Sequence, residues 1–340
     1  MLAIFDWPFG YPPELGIVLL TIVVLRWNLR RVGGCDPRPA PAWLEAMPQH
    51  AGGAMTLAEL SRPLGFVLGG GASLGAMQVG MLQALSEHHI APDLVAGTSV
   101  GCLNGAVVAL DPTGAANRLA HAWAGITTEQ IFPGGLLAQA RTLQHSKTHL
   151  FPNAGLAAVI RQFLGDHDDF GDLALPFAAV TLDTATGRAH PIRQGPLLPA
   201  LLASAAVPGI YPPVDHDGRH LYDGGIVANV PMRIAVDMGA RSLVVLDCSY
   251  PGQLPSPGET LAEIVLFTTT VTMRSQAVHE APLVAQDIPV VYLPGPTPRL
   301  VSPLDFSHSD ELIEASYEAA RPFLASLTIT GPGLYGSPEA

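Results

Sequence analysis

The sequence predicts an α/β domain built on a mostly parallel sheet with helices on both of its faces. Three features point there. Short apolar runs alternate with longer segments of helical periodicity; the runs are nearly continuous in their apolar character; and each is bounded by Gly, Pro or Asp. Strands that read as unbroken apolar runs are covered on both sides, as in parallel sheets, and the helices between them supply the crossovers. The strand-like runs are 66–68, 94–96, 177–182, 243–246 and 290–293. The helical segments are 76–88, 100–110, 116–124, 156–164, 231–238 and 261–278, with a closing helix over 312–325 that Pro322 is expected to interrupt.

Composition agrees with one large domain. Of 340 residues 48% are hydrophobic and 14% charged, against about 25% charged in an average globular chain, so a sizeable core can form. The formal charge of −12 argues against a nucleic-acid partner, which needs clustered Lys and Arg. Cys35, Cys102 and Cys248 are too few and too scattered for a disulfide framework or a metal-binding pair, and they suit a reducing, cytoplasmic setting.

The first 54 residues read differently from the rest. Residues 15–25 form an uncharged apolar run of eleven, followed by Arg26, Arg30 and Arg31. A membrane-spanning helix needs about 20 residues, and a signal peptide places its positive charge before the apolar run. Three readings stay open: a membrane-surface anchor over 15–31, a tail packed on the domain, or a mis-assigned start with Met55 as the true first residue. A Pro/Gly-rich linker over 33–53 follows under all three. The main domain is expected over 55–328, with a tail over 329–340.

Three motifs carry chemistry. Gly69-Gly70-Gly71-Ala72-Ser73-Leu74-Gly75 follows a strand and opens a helix, where bare backbone N–H groups and a helix N-terminus make a cradle for an anion or a developing oxyanion. It lacks the Lys and Ser/Thr of a P-loop and the spacing of G-x-G-x-x-G, which demotes nucleotide binding. Gly97-Thr98-Ser99-Val100-Gly101 lies between a strand and an apolar helix, the setting in which G-x-S-x-G forms a nucleophile elbow and lifts a serine hydroxyl above the sheet. Asp223-Gly224-Gly225 could present a carboxylate at a fixed angle as the base this serine needs, although D-G-G alone is ordinarily a solvent turn.

Together, G-G-G-x-x-x-G, G-T-S-V-G and Tyr222-Asp223-Gly224-Gly225-Ile226-Val227-Ala228-Asn229-Val230-Pro231 resemble the three signature blocks of the patatin-like phospholipase family. The stretch 203–213, Ala-Ser-Ala-Ala-Val-Pro-Gly-Ile-Tyr-Pro-Pro, resembles the family segment before the catalytic aspartate, and the likeness covers about 64–324. The resemblance implies a three-layer α/β/α domain that hydrolyses acyl esters of lipids through a Ser–Asp dyad, with no metal or cofactor and with possible contact at a membrane surface. Ser99 would be the acylated nucleophile and Asp223 its base, with Gly70, Gly71 and Ala72 forming the oxyanion hole and Gly69, Gly75, Gly97, Gly101, Gly224 and Gly225 supporting the motifs. Many members carry Arg or Lys before the last glycine of the first block; here Leu74 stands there, which puts any role of that cation in head-group binding in doubt.

Two other readings compete. A Ser-His-Asp triad could use His279 or His308 as base, and a non-catalytic lipid- or nucleotide-binding protein could keep the fold. An unshifted aspartate base gives an acidic limb near ~3.9 and a histidine one near ~6.5, with burial moving the former upward.

Overall fold

The computed structural model describes residues 55–248, 261–296 and 302–338. The chain divides into two units, Met1–His50 and Ala51–Ala340, and the described strands and helices belong to the second. The readings of 1–54, including the anchor over 15–31, lie outside the described residues. Strands β1 (Leu64–Leu68), β2 (Leu94–Thr98), β3 (Phe177–Asp183), β4 (Arg188–Ile192), β5 (Val214–His216), β6 (Arg219–Asp223), β7 (Ser242–Leu246), β8 (Pro289–Tyr292) and β9 (Gly333–Tyr335) form one mixed sheet. The helices are α1 (Ala76–Glu87), α2 (Val100–Leu110), α3 (Ala115–Trp123), α4 (Thr128–Ile131), α5 (Leu136–Ser146), α6 (Ala154–Leu164), α7 (Leu197–Ser204), α8 (Gly225–Ala228), α9 (Met232–Asp237), α10 (Leu261–Val284) and α11 (Ser309–Ser326).

The parallel core runs β3-β2-β1-β7-β8-β9, and the antiparallel strands β4, β5 and β6 gather at the β3 end. The apolar runs of β1, β2 and β7 are buried at every residue, and their side chains alternate between two separate cores. Phe66, Leu68, Val244 and Leu246 pack with α1, α2, α3 and α6 on one face. Val67, Leu243 and Val245 pack with Met232 and Ala235 of α9 and Ala277 and Ala281 of α10 on the other. The period-2 alternation of a strand thereby fills two helical layers from one sheet, giving the three-layer α/β/α architecture.

Two features depart from the sequence expectation. Helix α11 runs through Pro322 instead of breaking there. The proline lies in the last part of the helix, where it removes one N–H, while the preceding turns are locked against α1. From residue 329 the chain joins the domain: Ile329 bridges Met55 in both directions, and β9 pairs parallel to β8. A three-residue strand of intermediate burial carries too little apolar pattern to be seen in sequence.

The α1–α11 contact hinges on Gly80. A Cβ at this position would lie 2.1 Å from the Ile313 carbonyl oxygen and 2.2 Å from Ser316 Oγ. Gly80→Ala should therefore destabilise the domain by roughly 1–3 kcal/mol, although alanine favours an isolated helix by up to about 1 kcal/mol. Thermal unfolding should show a Tm several degrees lower; an equal or higher Tm would contradict the close packing of these helices.

Candidate active site

The sheet register brings the second and third motifs together. On β3, Val180 pairs with Thr98 of β2 and Pro191 of β4, and the next residue, Thr181, pairs with Asp223 of β6 and His190 of β4. A strand has two edges, and β4 holds one of them continuously, so β2 and β6 follow each other along the other edge. β2 runs parallel to β3 and β6 antiparallel; they end head to head, one residue apart. Ser99 leaves the tip of one strand just where Asp223 ends the other.

Ser99 is half-buried and adopts φ 54°, ψ −126°, a positive φ that costs a non-glycine residue of order 1–3 kcal/mol and clusters at functional turns. Its surroundings hold it there. The Ser99 N–H donates to Ser204 Oγ at 3.0 Å, and that hydroxyl donates to the Val180 carbonyl at 2.7 Å. Thr98 Oγ1 donates to the Ala228 carbonyl, and the Ser99 carbonyl accepts the first N–H bonds of α2. The flanking glycines serve clearance more than conformation. A Cβ on Gly97 would lie 2.3 Å from the Gly101 carbonyl oxygen, and one on Gly101 would lie 2.3 Å from that of Leu68.

Asp223 is 2% exposed. Burial raises its carboxyl from the ordinary 3.8 to about 6, against the lowering effect of hydrogen bonds from the Ser99 hydroxyl and the Gly225 N–H; the latter is 2.7 Å long. Gly224 is required for clearance, since a Cβ would lie 2.4 Å from the Val180 carbonyl oxygen. A Cβ on Gly225 would press on Met273 Cε at 2.9 Å and on Asp223 Oδ1 at 3.1 Å.

The glycine loop completes the arrangement. A Cβ on Gly70 would approach Ser99 Cβ to 3.1 Å, so the loop passes directly over the serine. Gly69 and Gly70 donate their N–H groups to the carbonyls of Leu246 and Asn229. Among the described residues no acceptor pairs with the N–H of Gly71 or Ala72, and Ala72 has φ 51°. Beyond them, Ser73 N–H donates to the Pro303 carbonyl. Gly75 is pinned by Val100, whose Cγ2 would lie 2.4 Å from a Cβ. Leu74, where the family resemblance leads one to expect a basic residue, is buried in the core.

Neither candidate histidine has a hydrogen bond to Ser99 or Asp223 among the described residues. His279 Nδ1 bonds the Ser275 carbonyl of its own helix, and His308 lies between Asp305 and Glu311 before α11. Among the described residues no group of three or more His, Cys, Asp and Glu side chains could hold a metal ion, and no helix is long and apolar enough to cross a membrane. Sequence reasoning missed Ser204 and Asn229. Ser204 sits in the 203–213 block and Asn229 six residues after Asp223, so the resemblance contained them without signalling their bonds.

The Patatin-like phospholipase model matches residues 66–236, which spans all three motifs and half of the chain. The chain belongs to the patatin-like phospholipase family. Within this family it is 28% identical over 282 residues to the mouse patatin-like phospholipase domain-containing protein 7, covering 76% of this chain and 20% of that protein. It is 29% identical over 217 residues to lysophospholipase NTE1 of Mycosarcoma maydis, covering 61% of this chain and 11% of the relative. The chain thus spans a fifth or less of the length of these relatives. The solved structure of VipD from Legionella pneumophila aligns with a TM-score of 0.42 at 13% identity, over 89% of this chain and 74% of that one.

Burial of Asp223 has a consequence for stability. Because the folded state holds this proton more tightly than the unfolded chain, stability is fully present below about pH 3.8 and is lost as pH rises through about 6. The loss is of order 3 kcal/mol for a shift of this size. Asp223→Asn keeps an acceptor for Gly225 and carries no charge. It should be more stable than the parent at pH 8 by a few kcal/mol and no more stable below pH 4, as measured by denaturant unfolding at the two pH values. Equal stability of the two proteins at pH 8 would contradict a strained, buried carboxylate.

Proposed function

We propose that the chain is a lipid acyl hydrolase in which Ser99 attacks the ester carbonyl and Asp223 takes its proton. The observation that carries this reading is the pairing of a hydroxyl on a strained, raised turn with a buried carboxyl whose pKa of about 6 suits a base working near neutrality. Ser99 Oγ adds to the carbonyl carbon while its proton passes to Asp223. The electron pair of the C=O bond moves to oxygen, and the N–H groups of Gly71 and Ala72 are the donors for that oxyanion. Collapse expels the alcohol, which leaves with the proton from Asp223, and Ser99 stays acylated. Water then attacks the acyl-enzyme with Asp223 again as base, releasing the fatty acid.

In this reading Gly70 contributes differently from its neighbours. Its N–H is committed to Asn229, and its value lies in the missing side chain above Ser99. Gly69, Gly75, Gly97, Gly101, Gly224 and Gly225 keep the three loops close enough to share one oxyanion. An ester of a lipid as substrate is supported by the family and by the lysophospholipase among the relatives. The buried Leu74 supplies no cation, so a phosphate head group would take its charge contacts from other residues.

Variants separate this dyad from a histidine triad. Ser99→Ala and Asp223→Asn should each reduce hydrolysis of a short soluble ester to background, whereas His279→Ala and His308→Ala should keep at least half the parental kcat/KM. Loss of activity in one folded histidine variant, with turnover surviving in Asp223→Asn, would reinstate the triad. Between pH 4 and 8, kcat/KM should rise with an apparent pKa of about 6, the carboxyl needing to be ionised; this limb falls in the range of histidine, so the variants decide.

A second test addresses the oxyanion. A Cβ at Gly71 would lie 2.8 Å from Cys248 Sγ and 2.9 Å from its carbonyl oxygen, so Gly71→Val must move the loop. A kcat lower by about 10²–10³ is expected from the loss of one donor, and a parental kcat in this variant would show that the loop serves another purpose.

A further inference from the structure

Beneath the glycine loop lies a chain of buried side-chain amides that the catalytic scheme does not use. Gln78 on α1 and Asn104 on α2 are each 0% exposed, and Trp123 on α3 is 1% exposed. Trp123 Nε1 donates to Asn104 Oδ1 at 3.0 Å. Asn104 Nδ2 donates to Gln78 Oε1 at 2.8 Å and to the Gly75 carbonyl at 3.0 Å. Gln78 Nε2 donates to the Gly69 carbonyl at 2.8 Å and the Leu246 carbonyl at 2.9 Å. The first and last glycines of the loop are therefore tied to one network, and Leu246 also accepts the Gly69 N–H.

The network has a fixed direction. An indole nitrogen can only donate, so Asn104 must turn its oxygen to Trp123 and its NH₂ inward. Gln78 then has to offer its oxygen to Asn104 and its NH₂ to the two backbone carbonyls. Neither amide can flip without facing two donors or two acceptors against each other, a costly arrangement away from water. The Gly69 carbonyl held by Gln78 lies in the Gly69–Gly70 peptide, next to the peptide that carries the Gly71 N–H, and the Gly75 carbonyl held by Asn104 closes the loop, so the network anchors both ends of the segment that carries the Gly71 and Ala72 N–H groups.

We propose that Gln78 is a positioning residue for the oxyanion hole, with its orientation set through Asn104 by Trp123. The proposal rests on the acyl-hydrolase reading given above. Gln78→Met keeps length and apolar bulk and removes both donors. It should lower kcat about 10–100-fold on a soluble ester with KM within threefold, because oxyanion contacts act in the transition state and a misplacement of ~1 Å costs up to 10²-fold. Trp123→Phe keeps the aromatic packing on Phe163 and Phe306, deletes only the terminal donor, and should lower kcat about 3–10-fold; it decides the matter if Gln78→Met does not fold. Ile329→Ala, a core truncation beside Met55, serves as the control for general destabilisation and should keep the parental kcat at a comparable loss of Tm. A folded Gln78→Met with kcat within twofold of the parent, or an equal fall of kcat in Ile329→Ala, overturns the proposal while leaving the dyad reading intact. A parent protein that hydrolyses no ester takes down both.

Discussion

The site depends on how one edge of β3 is shared. Backbone pairing at Val180 and Thr181 fixes two strand tips to within about 3.3 Å along the sheet, and those tips carry Ser99 and Asp223. No long side chain has to reach across a cleft to make the pair, and little conformational entropy is spent in aligning it. The same stretch of β3 also accepts the hydroxyl of Ser204, which in turn receives the Ser99 N–H, and it sets the limit that makes Gly224 a glycine. Proximity here comes from hydrogen-bonded backbone, the stiffest material in the molecule.

Two unfavourable states are stored on that frame. Ser99 occupies a positive φ and Asp223 is a carboxyl taken out of water. Each would relax in isolation, the first by rotating its backbone and the second by staying protonated. The Ser204 bond, the α2 N-terminal bonds and the packed glycines oppose the first, and the hydrogen bonds from Gly225 and Ser99 partly oppose the second. Under the proposed mechanism burial suits the carboxyl to the role of base: at its ordinary pKa it would be a weaker acceptor for a serine proton, and at about 6 it is both stronger and still ionised at neutral pH.

Much of this was legible in the amino-acid order. β1, β2, β3, β7 and β8 announce themselves because a strand buried on both faces must be apolar at every position, and the elbow glycines because backbone passes within 2.4 Å of where a Cβ would stand. The strands β4, β5 and β6 were not seen: they hold Arg188, His190, Pro191, Asp215, His216 and Arg219 and are only partly buried, so their pairing with β3 is decided by tertiary contact rather than by pattern. The head-to-head junction followed them out of sight, since it is a fact of register. Ser204 and Gln78 stayed hidden for a related reason. A polar residue inside an apolar segment looks like a tolerated impurity until its partners are known, and those partners are 105 and up to 168 residues away in sequence. The shift of Asp223 toward the histidine range likewise needs the depth of the site, because D-G-G reads as a solvent turn.

The account turns on whether the Asp223 carboxylate activates the Ser99 hydroxyl, and an alkyl fluorophosphonate reports on that step directly by phosphonylating the nucleophile and stopping. The rate of adduct formation, followed by mass spectrometry of the labelled peptide, should give a single modification at Ser99. That rate should climb with an apparent pKa of about 6, and it should fall to background in Asp223→Asn. Labelling at another residue, or a rate at Ser99 that Asp223→Asn leaves unchanged, would contradict the dyad.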